Sequence, residues 1–230
     1  MASHALQDSV VAVVGASGAL GSLVARGVAD RGGHPVLVGR DASRLAAVGL
    51  PDDSLTVVGE LGDAELGSRL VDAVRENHGR LDGVVNAAGV VAFGNLADTD
   101  DAVIEELFLT NVLGPLFLLR RVLPLLEESR GFVAQLSAVV AEQPMAGMAA
   151  YSASKAALTA ADRALTRELR RQGVDVIDIR PPHTETGLAT RPLAGTAPRL
   201  PEGLDPQVVA TAVLDAIEAG RPEVAADAIG

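Results

Sequence analysis

The chain of 230 residues, 48% of them hydrophobic, is long enough to bury one large core, so a single domain over residues 1–230 is expected. A formal net charge of −11 argues against nucleic acid or anionic membrane as a partner, because both attract concentrated Lys and Arg. The absence of Cys excludes disulfides, thiolate catalysis and zinc–thiolate sites. With no basic-then-apolar leader and no uninterrupted apolar run of membrane-spanning length, a soluble cytoplasmic protein is the expectation.

In chain order, residues 10–14 form a short β-branched-rich run that ends in Gly15, and a helical pattern follows over 19–31. Strand-like runs recur at 35–38, 55–58, 81–85, 132–136 and 174–179, and helix-period segments lie between them at 42–48, 64–77, 100–126 and 150–171. Buried strands alternating with helices imply βαβ units. The expected fold class is therefore α/β, a Rossmann-type doubly wound parallel sheet. Residues 182–205 are rich in Pro, Gly and Thr and read as a lid; a last helix at 206–219 and a short strand at 223–225 complete the pattern. In such a sheet ligands bind beyond the carboxyl ends of the strands, which brings the lid, the glycine turn after Val14 and the segment after Val85 to one crevice.

The turn from Gly15 through Ser17, Gly18, Ala19 and Leu20 to Gly21 sits where the first strand becomes the first helix. Glycine there lets the backbone approach a pyrophosphate, whose charge is met by the helix N-terminus. The second strand runs into Val38-Gly39-Arg40-Asp41, with Gly where an acid would hold an NAD ribose and Arg40 next to it. That arrangement favours NADP(H) over NAD(H). The competing reading makes Arg40 a solvated charge and Asp41 the cap of the next helix. Asn86, Ala87, Ala88 and Gly89 end the fourth strand with small residues that leave room for a flat ring. Asn111 is a poor helix former inside a helical run, beside Gly114-Pro115, so either a polar role or a kink is expected there. Tyr151 and Lys155 are the chain's single tyrosine and single lysine, set at i and i+4 on one helix face. A cation that close is expected to lower the phenol pKa and fit it for acid–base work.

Taken together, the glycine turn, Asn86-Ala87-Ala88-Gly89, Asn111, Ser137, Tyr151 with Lys155, and Arg180-Pro181 followed by Thr186 make the chain resemble a short-chain dehydrogenase/reductase. The pieces stand in the family's order and cover nearly the entire chain. The resemblance implies a cofactor-dependent oxidoreductase interconverting a carbonyl and an alcohol. Tyr151 is then the general acid–base, Lys155 lowers its pKa and holds the nicotinamide ribose, Ser137 binds the substrate oxygen, and Asn111 holds a water that links the lysine to solvent. It also implies that Glu60 and Leu61 lie against the adenine and that Pro181, Thr184 and Thr186 hold the nicotinamide carboxamide.

Three departures from the family pattern stand out. Gly18 comes one place before the position of the usual middle glycine, which is Ala19. The family's serine commonly stands one place closer to the tyrosine, where this chain has Ala138; either a one-residue insertion between Val139 and Ala150 brings Ser137 into place or the donor is missing. Pro182 replaces the usual glycine after Pro181 and removes a backbone donor. These departures motivate an alternative reading as an NADP(H)-binding sensor or partner module with little catalysis. His183 and Glu185 lack a clustered third ligand, so no metal is expected. The small residues Ala156, Ala157, Ala160, Ala161 and Ala164 on the Lys155 helix invite close helix packing, and a homodimer or homotetramer is expected, with a small-molecule carbonyl or alcohol as the other partner.

Overall fold

The computed structural model describes residues 2–51 and 54–230. Seven strands form one sheet in the order β3-β2-β1-β4-β5-β6-β7. They are β1 Val10–Val14, β2 His34–Gly39, β3 Thr56–Val58, β4 Gly83–Asn86, β5 Phe132–Leu136, β6 Asp175–Ile179 and β7 Glu223–Val224. Every pairing is parallel. Parallel strands are covered on both faces, which is why β1 and β5 are buried at each residue and read as continuous apolar runs.

Two cores follow from the two faces. On one, α1 Ala19–Asp30 and α7 Pro206–Ala219 pack Val24, Val28, Val213 and Ile217 against Val11, Val13, Ala134 and Ile177. On the other, α3 Leu66–Asn77 and α5 Gly114–Ser129 pack Leu70, Val74, Leu118 and Val122 against Ala12, Val84 and Val133. The short α2 Ala42–Ala46 is capped by Asp41, whose Oδ1 accepts from Ser43 N at 2.9 Å and Arg44 N at 3.1 Å. Those bonds, with the Ser43 hydroxyl foremost, hold the Asp41 carboxyl below its ordinary pKa.

The helical stretch expected at 100–126 is divided. α4 Asp101–Phe108 passes through a π-helical turn, Leu109–Leu113, before α5 begins with Gly114-Pro115. A wider turn tolerates the missing N–H of proline and rotates Asn111 inward. Asp101–Ser129 is also the described helical run long and apolar enough to cross a membrane. Here Leu118, Leu119, Val122, Leu125 and Leu126 are spent on the sheet and α3, so it is a core helix.

The chain builds outward from β1 through β2 to β3, then crosses to β4 and builds outward the other way. The order of connection therefore reverses between β1 and β4, and an open crevice lies beyond their carboxyl ends. α6 Ala149–Glu168 runs past this crevice. Over it lies a smaller apolar cluster of Val91, Phe93, Leu107, Val140, Met148 and Tyr151, against which Leu188 and Ala189 pack. The segment 182–205 is tied down by Leu193 N donating to Val91 O at 2.8 Å and Phe93 N donating to Ala194 O at 2.9 Å. An isolated parallel bridge between Thr184 and Leu204 closes its base.

Candidate active site

A cavity of about 850 Å³ fills the crevice. Its lining runs from Gly15, Ser17, Gly18, Ala19 and Leu20 at one end, past Arg40, Glu60 and Leu61, then Ala87, Ala88 and Gly89, to Ser137, Tyr151, Lys155, Pro181, Thr184 and Thr186 at the other. Nearly every residue singled out in the sequence thus borders one space. Gly21, Asn86 and Asn111, also expected at the site, do not line it; they stand behind the wall and shape it.

Gly21 faces the turn rather than the cavity, and a Cβ on it would collide with the Gly15 carbonyl oxygen. Gly15 has φ +78°, and a Cβ there would lie 2.8 Å from Ala88 N, so this position needs glycine for both conformation and space. No side chain caps α1, whose N-terminus opens at Gly18. Free N–H groups at an uncapped helix start, reached over a bare backbone, fit a pyrophosphate. Arg40 borders the same end of the cavity. So does Arg44, whose guanidinium donates to Ser17 O at 3.0 Å across the turn. Arg44 escaped the sequence reading because only the course of α2 brings it back over Ser17.

Asn86 acts from behind the wall. Its amide donates to Gln135 Oε1 at 3.0 Å, while its Oδ1 accepts from Ala88 N at 3.3 Å. Gln135 in turn donates to Asp162 Oδ1 at 2.7 Å. Gln135 and Asp162 are fully buried, and Asp162 Oδ2 has no partner. Burial, with the nearby Asp178 charge, pushes the Asp162 carboxyl up to about 8 against the opposing Gln135 bond and Lys155 charge. Sequence spacing carried a signal for this group, since Asp162 follows Lys155 at i+7 on the buried face of α6.

Asn111 is consumed by structure as well. It donates to Val90 O and to Ser154 Oγ, each at 3.0 Å, and accepts from Val90 N at 2.9 Å. These bonds hold the π turn, the segment after β4 and α6 in one register. A Cβ on Gly89 would sit 3.3 Å from both Asn111 Oδ1 and Lys155 Nζ, so the bare backbone at Gly89 keeps the space over the lysine clear.

Tyr151 is 7% exposed and Lys155 4% exposed, yet both border the cavity. Lys155 Nζ donates to Leu136 O at 2.9 Å. Burial brings the ammonium down to about 8, opposed by the charges of Asp178 and Asp162. In the chain alone burial pushes the Tyr151 phenol up to about 12, the ring lying in an apolar cluster with Val140, Met148 and Phe93. A phenol in that state keeps its proton at neutral pH.

Ser137 directly follows β5 and borders the cavity. It donates to Asp178 Oδ1 at 2.6 Å and lies 3.2 Å from Ile179 O. Asp178 is further held by Arg180, with an N–O distance of 2.7 Å. Ala138 follows in extended backbone and borders the cavity. Among the described residues no cluster of His, Asp or Glu could hold a metal ion.

A model of the short chain dehydrogenase family matches residues 9–194. The chain belongs to that family. An uncharacterized oxidoreductase of Staphylococcus saprophyticus is 33% identical over 221 residues, covering 93% of this chain and 92% of that protein. Dehydrogenase/reductase SDR family member 7B of Danio rerio is 28% identical over 98% of this chain and 79% of its own length. Among solved structures, a short chain dehydrogenase from Burkholderia cenocepacia in complex with NADP superposes with a TM-score of 0.86 at 23% identity, covering 99% of this chain and 90% of that one. A short-chain dehydrogenase from Streptomyces avermitilis gives 0.85 at 26% identity, with coverage of 95% and 88%. This short-chain dehydrogenase/reductase is accordingly a nicotinamide-dependent oxidoreductase acting between CH–OH and C=O.

Proposed function

We propose that the enzyme is an NADP(H)-dependent carbonyl reductase, reversible toward the alcohol, in which Tyr151 is the general acid. The observation that carries this reading is the single cavity joining the uncapped start of α1 to the Tyr151–Lys155 pair. Gly15, Gly18, Ala19 and Leu20 would hold the pyrophosphate. Arg40, seconded by Arg44, would hold the 2′-phosphate, and this pair is the reason for preferring NADP(H) over NAD(H). Glu60 and Leu61 would border the adenine, and Asn86 through Gly89 with Pro181, Thr184 and Thr186 the nicotinamide side. When bound, the cofactor supplies or accepts the hydride.

The protein's own part is proton transfer and positioning. As carbonyl oxygen gains negative charge, the Tyr151 hydroxyl donates to it and then gives up its proton. A cationic Lys155 beside the resulting phenolate stabilises it, and burial of both groups strengthens that attraction. Asn111 would support the lysine by fixing the Gly89–Val90 segment above it. Ser137 is not assigned to the substrate oxygen, since its proton is given to Asp178.

A homo-oligomer belongs to the same reading, supported by the small-residue face of α6 and by exposed Leu113 in the π turn and Phe117 in α5. So does a cytoplasmic location. Stopped-flow oxidation of NADPH against a panel of aldehydes and ketones tests the activity, with NADH in parallel for cofactor preference. Turnover with NADPH over NADH is expected; tight NADPH binding with no turnover on any carbonyl would favour the sensor reading.

A further inference from the structure

Resting on the reductase reading, we propose that Arg191 binds a substrate carboxylate at the mouth of the cavity. The preferred substrates are then oxo acids, in which an apolar stretch separates the reacting carbonyl from the carboxylate.

The lid sets the position of Arg191. Ala189 packs on the apolar cluster that contains Tyr151, and Leu193 is tied to Val91, so Arg191 is carried on the stretch between them and borders the cavity. Its side chain folds back over the turn: Nε donates to Gly187 O at 3.1 Å, and a terminal nitrogen lies 3.5 Å from Thr186 O. These contacts fix the guanidinium and leave N–H groups over for a ligand, because a guanidinium carries more donors than two carbonyls consume. Among the described residues no carboxylate pairs with it. Glu185, the nearest acid along the chain, is committed elsewhere: its Oε1 accepts from Gly203 N at 2.9 Å and lies 3.3 Å from His183 Nε2.

Charge along the cavity is segregated. The acids on its wall are Asp41, Glu60 and Glu106, all toward the adenosine end. Asp41 caps α2, and Glu106 accepts from Thr110 beside Leu109, which packs against Gly62. The Tyr151 end has no acid on its wall and carries Lys155 and Arg191. Behind that wall Asp178 is neutralised by Arg180 at 2.7 Å, and Asp162, pushed up to about 8, keeps its proton at neutral pH. An anion entering this end meets positive charge without a competing carboxylate. The phosphates of the cofactor are already provided for at the far end by the start of α1, Arg40 and Arg44. Between the two cations the wall is apolar, with Val140 and Met148 buried, Leu188 partly buried, and Met145 and Leu193 exposed at the rim. A planar guanidinium at an open mouth suits a carboxylate, which it meets through paired N–H bonds while the anion stays partly hydrated.

The test uses a set of oxo acids of graded chain length, each beside its methyl ester, in steady-state NADPH oxidation by the native enzyme, Arg191→Gln and Arg191→Lys. The native enzyme should favour the best acid over its ester by roughly tenfold in kcat/KM, chiefly through KM; this is the low end for charge-assisted bonds, because Arg191 is exposed. R191Q should abolish that preference, R191K should restore part of it, and added salt should erode it. NADPH affinity, read by titration calorimetry, should stay within a few-fold in R191Q. Equal kcat/KM for acids and esters in the native enzyme overturns the inference and leaves the reductase reading standing. So does an R191Q variant that weakens NADPH and slows acids and esters alike, because the guanidinium would then serve the cofactor. If no acid, ester or other carbonyl oxidises NADPH, the reductase reading itself fails and takes this inference with it.

Discussion

Replacing Asp162 by Asn probes the buried polar network directly, and its effect can be worked out in sign and size. The carboxyl has an ordinary value of 3.8 and is pushed up to about 8 in the folded chain, chiefly by burial. Between those values the folded chain holds a proton that the unfolded chain has released, so stability falls as pH rises through that window. The contribution is roughly 1.4 kcal/mol for each pH unit, or roughly 3 kcal/mol between about pH 5 and pH 7. Lys155 does not confuse this interval: its folded value is about 8 and its ordinary value 10.5, so it stays protonated in both states. Asn keeps the acceptor for Gln135 Nε2 and does not titrate, while its NH2 group replaces the unpartnered Oδ2. At roughly 2–4 °C per kcal/mol for a chain of this size, the Tm of Asp162→Asn relative to native should rise by roughly 6–12 °C between the two pH values. Calorimetry of both chains at each pH measures it, and any pH-independent cost of the substitution cancels in the difference. Parallel melting curves across the window would show that Asp162 carries no proton in the folded state.

Lys155→Met keeps the stem and removes the charge; kcat should drop by roughly 10² or more, the lower range for loss of acid–base support, as read by NADPH oxidation at saturating substrate. Replacing Arg40 and Arg44 together by Ser should weaken NADPH by roughly 10–100-fold in titration calorimetry and leave NADH within a few-fold, since charge-assisted bonds to one phosphate are lost. Gly21→Ala places a Cβ against the Gly15 carbonyl; a stability loss of roughly 1–3 kcal/mol is expected in urea unfolding, with weakened cofactor binding.

How far the sequence carried can be judged from particular residues. The β-branched run at 10–14 and its successors announced a parallel sheet because buried strands have to be apolar on both faces, and all seven strands are present. Element ends were less legible. β2 starts at His34 and α3 at Leu66, where tertiary pairing and local turns, rather than side-chain pattern, set the limits. The spacing of Tyr151 and Lys155 put both on one helix face, and both border the cavity. The effect of burial, which raises the phenol and lowers the ammonium, was not readable, because it depends on what folds around them. Asn111 could be recognised as misplaced in a helix, but the π turn that accommodates it is a three-dimensional solution. Ser137 borders the same cavity, but its bond to Asp178 on the neighbouring strand was not readable.

The most direct test of the whole account is Tyr151→Phe, which preserves the buried ring and removes one hydroxyl. Single-turnover NADPH oxidation with an aldehyde substrate should slow by roughly 10² or more, with melting temperature near native and NADPH affinity within a few-fold. Unchanged turnover in the folded variant would contradict Tyr151 as the proton donor.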